Sequence, residues 1–213
     1  MSMVEDIRKK AQSKLMTIVL PEGDEPRTVQ AAKIIKDEGL EFLLDFIKEK
    51  NFKEILELGT AVGYSAMKMA ALDKDIHIDT IEKNEDMYSQ AIENIKRNDY
   101  SDQIDVYFMP IEEFKTDKKY DLIFVDAAKA QYGRYMEQFL PNLKEDGYMF
   151  FDNMIFHGLV YDVENIESRN LRNLVRKIIK FSEMVLNDKR FDIMKFDKIG
   201  DGILLLTRRK SGT

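Results

Sequence analysis

The 213-residue sequence predicts one α/β fold built on a mostly parallel seven-stranded sheet with helices on both faces. Three observations carry that prediction. From residue 54 onward, short apolar runs alternate with amphipathic ones, the pattern of strands covered on both faces and joined by helical crossovers. The run Glu54-Ile-Leu-Glu-Leu-Gly-Thr-Ala-Val-Gly-Tyr-Ser-Ala66 reads as a buried strand, a glycine turn and the start of a helix. Only Asp197-Lys-Ile-Gly-Asp201 separates the last two strands, too short for a parallel crossover, so they should close as an antiparallel hairpin at the sheet edge.

The elements follow in order. Residues 17–39 read as a short strand, a Pro/Gly turn and a helix near Arg27 to Lys36. Leu40 to Lys50 is an apolar helix that should pack beside the first strand. Strands are expected at Glu54 to Gly59, Ile76 to Glu82, Ile104 to Met109, Tyr120 to Asp126, Gly147 to Asp152, Phe191 to Phe196 and Gly202 to Arg208. Helices are expected at Ser65 to Leu72, Glu85 to Asn98, Gln131 to Leu143 and Glu167 to Asn187.

Composition narrows the class. Hydrophobic content of 44% and charged content of 34% suit an ordinary soluble globular chain. A formal net charge of -6 opposes a global nucleic-acid field, although a local basic stripe is compatible with it. There are no cysteines, which excludes disulfides, thiolate metal sites and Cys nucleophiles and suits a reducing cytoplasm. No apolar run approaches a membrane span, so no membrane partner is expected.

The strand-turn-helix run holds the main site signal. Gly59 and Gly63 let the backbone approach a ligand, and Ser65 opens the amphipathic run to Leu72. The spacing is Glu-x-Gly-x-x-x-Gly, not the Gly-x-Gly-x-x-Gly of a pyrophosphate cradle, and no lysine follows to make a P-loop. A ligand without phosphates therefore fits better. A cationic one that welcomes Glu57 fits best, and S-adenosyl-L-methionine is the commonest such cofactor; packing glycines in an ordinary turn are the bland alternative. Glu82 ends the second strand at the distance where a carboxylate accepts hydrogen bonds from ribose hydroxyls.

Asp126 ends the fourth strand, and Asp152 with Asn153 ends the fifth. Carboxyl ends of parallel strands line the ligand crevice of such sheets. These hard oxygen donors suit Mg²⁺, Mn²⁺ or Ca²⁺, although strand-end Asp and Asn also serve as helix N-caps. Lys129, three residues after Asp126, is the candidate general base, or else a solvated surface lysine. His77 and His157 have no partner visible in the sequence. Arg169, Arg172, Arg176 and Lys180 form one stripe of the last long helix, opposite Leu171, Leu174, Ile178, Phe181 and Val185. Most such stripes are solvated faces; this one could also hold RNA phosphates.

Together these residues resemble a family. Residues 39–210 are similar to the cation-dependent O-methyltransferases of the catechol and caffeoyl-CoA type, especially a bacterial branch that includes tRNA 5-hydroxyuridine methyltransferases. The carrying motifs are Leu56-Glu-Leu-Gly-Thr-Ala-Val-Gly-Tyr-Ser65, Tyr120-Asp-Leu-Ile-Phe-Val-Asp-Ala-Ala-Lys129, Phe151-Asp-Asn153 and Gly200-Asp-Gly202. The resemblance implies a Rossmann-like class I methyltransferase fold with a reversed terminal strand. It implies that Glu57, Gly59, Ser65 and Glu82 bind S-adenosylmethionine, that Asp126, Asp152 and Asn153 hold Mg²⁺, and that Lys129 is the base. It also implies a homodimer. Relatives commonly carry Gly-Asp-Ala where this chain has Met109-Pro-Ile-Glu-Glu-Phe114, which leaves Ile111 as the apolar wall for adenine. Residues 1–39 instead resemble the opening of phosphate acetyltransferases, so a junction is expected near Gly39 and the methyltransferase domain over 40–213. The implied acceptor is 5-hydroxyuridine in tRNA, with a small catechol-like phenol or a catalytically impaired cofactor-binding protein as alternatives.

Overall fold

The computed structural model describes residues 38–210. The strand, turn and helix expected between residues 17 and 36 lie outside the described residues. The described chain runs α1 (Glu38–Lys50), β1 (Glu54–Leu58), α2 (Tyr64–Ala70), β2 (His77–Glu82), α3 (Glu85–Arg97), β3 (Ile104–Phe108), β4 (Tyr120–Val125), α4 (Tyr132–Phe139), β5 (Leu143–Phe151), α5 (Arg169–Leu186), β6 (Phe191–Phe196) and β7 (Ile203–Arg208). The strands form one seven-stranded sheet in the order β3-β2-β1-β4-β5-β7-β6. Strands β1 to β5 pair parallel, and β7 runs antiparallel to both β5 and β6. The expected hairpin is present, with β7 inserted between β5 and the edge strand β6.

Continuous apolar strands feed two cores because successive side chains point to opposite faces. Leu56, Leu58, Ile123, Val125, Met149 and Phe151 join Tyr132, Met136 and Phe139 of α4 and Ile178, Phe181 and Val185 of α5 on one face. Ile55, Leu122, Phe124 and Phe150 join Leu43, Phe46 and Ile47 of α1, Met67 of α2, and Ala91 and Ile95 of α3 on the other. Helix ends obey capping chemistry. The Asn84 side chain accepts from Met87 N–H at 3.0 Å, with Glu85 and Asp86 in the first turn of α3 and Lys96 and Arg97 in the last. The Ser168 hydroxyl caps Leu171 N–H at the start of α5.

Two boundaries differ from expectation by more than two residues, each for a local reason. The helix expected to reach Leu143 ends at Phe139, and a 3-10 turn over Leu140–Asn142 follows, because Pro141 has no N–H to continue the α-helical ladder. Strand β5 starts at Leu143 rather than Gly147, with a register shift against β4 between Tyr120 and Leu122. A side chain at Gly147 would meet the carbonyl oxygens of Tyr120 and Asp121 at 3.0 Å, so glycine fits the strand at its irregular point. Among the described residues no helix is long and apolar enough to cross a membrane.

The sheet order reverses at β1, where β2 lies on one side and β4 on the other. Crevices form outside the carboxyl ends of the strands at such a point. Gly59, just past β1, has φ +106, and a Cβ there would lie 2.3 Å from the Asp126 carbonyl oxygen. We expect Gly59→Ala to destabilise the protein by about 2–4 kcal/mol, since both the backbone conformation and the β1–β4 contact must yield. Chemical denaturation measures this; an unchanged midpoint would refute the contact.

Candidate functional site

The carboxyl ends of the parallel strands open into a cavity of about 360 Å³. Gly59, Thr60 and Ala61 after β1, Ile81 and Glu82 of β2, Ile111 and Glu112 after β3, Asp126 to Ala128 after β4 and Asp152 after β5 all line it. Tyr135 of α4 and Gly39 and Leu40 of α1 also line it. Of the residues singled out from the sequence, Gly59, Ser65, Glu82, Ile111, Asp126 and Asp152 meet at this one cavity.

Glu82 is held by backbone donors. Its Oε1 accepts the N–H groups of Lys83 and Asn84 at 2.9 and 2.8 Å, and its Oε2 accepts Ala61 N–H at 2.9 Å. Three main-chain donors orient the carboxylate and join the end of β2 to the glycine turn after β1. That turn is fixed from α3 as well, where buried Asn94 donates to the Val62 carbonyl at 3.0 Å.

Glu57 does not face the cavity as expected. It is fully buried behind the wall, where Ser65 donates to Oε1 and Thr80 to Oε2. Because the Thr80 proton is committed to Glu57, the 2.7 Å contact between Thr60 and Thr80 runs with Thr60 as donor. Burial is the largest cause that pushes the Glu57 carboxyl up to about 7; the two hydroxyls oppose the shift, and Asp126 and Glu82 add to it. Strand alternation puts Glu57 on the same face as Ile55, the face covered by α1 to α3.

Gly63 is also displaced from the expected ligand contact. It is the left-handed N-cap of α2 with φ +81, a conformation that favours glycine, and it lies beside Ala91 and Ile95 of α3. Ser65 lines the cavity while its hydroxyl is directed to Glu57.

Asp126 and Asp152 follow the paired residues Val125 and Phe151 on adjacent strands, which brings the two carboxylates to one rim. Burial raises the Tyr132 phenol well above its ordinary range, and both carboxylates push it further. That phenol donates to the Asp152 carbonyl at 3.0 Å, and Asp152 Oδ1 accepts Asn153 N–H at 2.7 Å. Asn153 itself has φ +58, a conformation that Asn tolerates better than most residues. Two neighbouring hard carboxylates suit a divalent cation, while Asn153, next in the chain, does not line the cavity. Lys129 Nζ lies 3.9 Å from Asp126 Oδ1 and 5.8 Å from the Phe156 ring centroid, so the amine is held beside that rim.

The basic stripe is partly engaged within the chain. Arg172 donates to the Ile166 carbonyl from Nε at 2.9 Å and Nη2 at 2.5 Å, and Arg176 pairs with Glu164 at 3.0 Å. Arg169 and Lys180 are exposed. His77 is an exposed strand residue. Sequence reasoning missed Glu112, Tyr135 and Leu40 in the cavity wall. Tyr135 donates to Glu112 Oε1 at 3.3 Å, and burial followed by that carboxylate pushes the phenol up to about 12. No local motif marks these residues, because they arrive from separate elements.

Comparison with known proteins identifies the family and related folds. The profile of the O-methyltransferase family matches residues 12–210, beginning inside the segment expected to resemble phosphate acetyltransferases. A caffeoyl-CoA O-methyltransferase of Populus kitakamiensis is 34% identical over 181 residues, covering 81% of this chain and 76% of its own. A Staphylococcus aureus structure provisionally described as a caffeoyl-CoA O-methyltransferase aligns with TM-score 0.76 and 32% identity over 98% of this chain and 93% of its own. An O-methyltransferase from Bacillus cereus, solved in complex with SAH, aligns with TM-score 0.68 and 25% identity over 85% and 88% of the two chains.

The raised Glu57 carboxyl sets a pH dependence. Between pH 4.5 and 7 the unfolded chain releases this proton while the folded chain retains it, so native stability falls as pH rises through that window. The full effect is about 3 kcal/mol. Glu57→Gln should remove it, gaining stability over the wild type at pH 8 but not at pH 4.5. Thermal unfolding at the two pH values tests this, and parallel curves for both proteins would contradict it.

Proposed function

The chain belongs to the O-methyltransferase family, and on that premise we propose that it transfers the methyl group of S-adenosylmethionine to a hydroxyl that has a second oxygen beside it, with a divalent cation bound. The observation that carries this reading is the convergence of Glu82, Asp126 and Asp152 on one cavity. Glu82, oriented by three backbone donors, accepts the ribose hydroxyls, and Ile111 forms the apolar wall for the adenine. Asp126, Asp152 and Asn153 hold Mg²⁺ or a similar ion. The cofactor supplies an electrophilic methyl on sulfonium, and the cation supplies the charge that gathers two vicinal oxygens and favours the ionised hydroxyl.

The chain's own residues carry the remaining work. Lys129 Nζ, held between Asp126 and the Phe156 ring, takes the hydroxyl proton as the oxygen attacks. Tyr132 holds the Asp152 main chain in place from below through its 3.0 Å hydrogen bond. The carboxylates around the cavity suit a ligand whose sulfonium and ammonium are both positive.

A small catechol-like phenol is the acceptor this arrangement supports best. It needs only the rim residues, and the relatives named for caffeoyl-CoA favour a phenolic acceptor. A second reading, 5-hydroxyuridine in tRNA, offers the same pair of oxygens through its 5-hydroxyl and 4-carbonyl. Exposed Arg169 and Lys180 favour it, whereas the internal bonds of Arg172 and Arg176 reduce the charge left for phosphates. Mass spectrometry of catechol and of tRNA nucleosides after incubation with enzyme, S-adenosylmethionine and Mg²⁺ separates the two.

Two mutational outcomes follow from the division of labour. Asp126→Ala or Asp152→Ala should abolish turnover, as should EDTA, while calorimetric titration still detects the cofactor. Glu82→Ala should weaken cofactor affinity by about 1–3 kcal/mol for the lost charged hydrogen bonds. Full turnover in EDTA would remove the cation from the mechanism, and unchanged affinity in the Glu82 variant would move the ribose elsewhere.

A further inference from the structure

The turn Gly200-Asp201-Gly202, between β6 and β7, takes no part in the cavity wall, yet it grips the segment that follows the Asp152–Asn153 pair. Asp201 Oδ1 accepts the main-chain N–H of His157 at 2.5 Å, across 44 residues of sequence. The Asp201 carbonyl accepts Ile155 N–H and the Gly202 carbonyl accepts Met154 N–H, both at 2.9 Å. Gly202 allows this approach, because a Cβ there would lie 2.9 Å from Ile155 N.

The gripped segment is in an unfavourable conformation. Asn153, Phe156 and His157 all have positive φ, at 58, 46 and 56, where a Cβ crowds the backbone. Such a conformation persists only when surrounding bonds determine it, and here three of those bonds come from the 200–202 turn, beside the bond from Asn153 N–H to Asp152 Oδ1. The segment begins at Asn153, beside the two rim carboxylates, and includes Phe156, whose ring lies against the Lys129 amine.

The carboxylate is an expensive way to make one hydrogen bond. Asp201 Oδ2 is buried and makes no hydrogen bond among the described residues, with His157 Nδ1 3.5 Å away. The imidazole itself is largely exposed, so the main-chain bond, not the ring contact, is what places the loop.

We propose that Asp201 is a positioning residue for methyl transfer, acting through the His157 amide to hold Asn153, Phe156 and hence Lys129 in their working places. The proposal rests on the O-methyltransferase reading of the same rim. Because Asp201 is outside the cofactor wall, its loss should affect the acceptor side and spare cofactor binding.

The test compares Asp201→Ala, Asp201→Asn and His157→Ala with the wild type in catechol turnover, S-adenosylmethionine titration and amide hydrogen exchange of residues 153–158. Asp201→Ala should lower kcat by roughly tenfold to hundredfold, the range for a small displacement of catalytic groups, with cofactor affinity unchanged within about twofold. Exchange at residues 155–158 should accelerate in the same variant. Asp201→Asn keeps an oxygen for the His157 N–H and should restore most of the rate; His157→Ala keeps the N–H and should remain near wild type. If Asp201→Ala does not fold, Asp201→Ser, too short to reach the amide, takes its place. Wild-type kcat in the Ala variant, an Asn variant as impaired as Ala, or an equal loss in His157→Ala would each overturn the proposal. A wild-type protein that methylates neither catechol nor tRNA would instead overturn the functional reading, and faster loop exchange with turnover intact would overturn the positioning role alone.

Discussion

The ligand-facing rim depends on the close approach of Gly59 to the Asp126 carbonyl. With no side chain at Gly59, the chain leaving β1 can turn against the chain leaving β4, and Asp126 N–H bonds to the Leu58 carbonyl at 3.1 Å. The gap between the first and fourth strands at the point of sheet reversal is thereby closed by main chain alone. The side chains of the two strand ends are left to the cavity and to the core. Any larger residue at position 59 would move Asp126, and with it one of the two neighbouring carboxylates at the rim.

Charge is the second organising constraint. Glu82, Glu112, Asp126 and Asp152 line one cavity, and Glu57 lies buried just behind it. The structure moderates this concentration of acid in different ways. Main-chain N–H groups stabilise Glu82, and burial shifts Glu57 toward its neutral form. A bound sulfonium cofactor and a divalent cation would complete the neutralisation, which gives the proposed chemistry an electrostatic reason for its place in the fold. The net charge of -6 is thus not only a solubility property, since part of it is concentrated where a positive ligand is expected.

The two faces of the sheet divide structural and chemical duties. Helices α1 to α3 cover one core and α4 and α5 the other, and both cores consist of residues contributed alternately by the same strands. Helix α1 contributes Gly39 and Leu40 to the cavity wall, while α4 contributes Tyr132, bonded to the Asp152 carbonyl, and Tyr135, which lines the cavity. The β6–β7 turn touches both regions: Gly200 approaches Gly39, and Asp201 bonds the loop after Asn153. A turn remote in sequence from the glycine motif is therefore a common support for the two sides of the site.

Much of this was legible in the chain itself because its physical causes are local. The alternation of apolar runs with amphipathic ones dictates strands and crossovers, the five-residue link Asp197 to Asp201 forces a hairpin, and strand-end Glu82, Asp126 and Asp152 fall on one rim whatever the details of packing. Other features needed the assembled sheet. Glu57 and Gly59 lie two positions apart in one motif, but strand alternation sends the first into the core while the turn sends the second to the cavity. Gly63 packs on α3, Arg172 and Arg176 turn to Ile166 and Glu164, and Glu112 meets Tyr135, each through a partner that no local spacing specifies. The amino-acid sequence by itself determined the order and type of the elements and the chemical groups at their ends, since those follow from hydrophobic period and turn chemistry. Only the tertiary structure decided which of those groups face the ligand and which face one another, because burial and hydrogen-bond partnership depend on register between segments far apart in the chain.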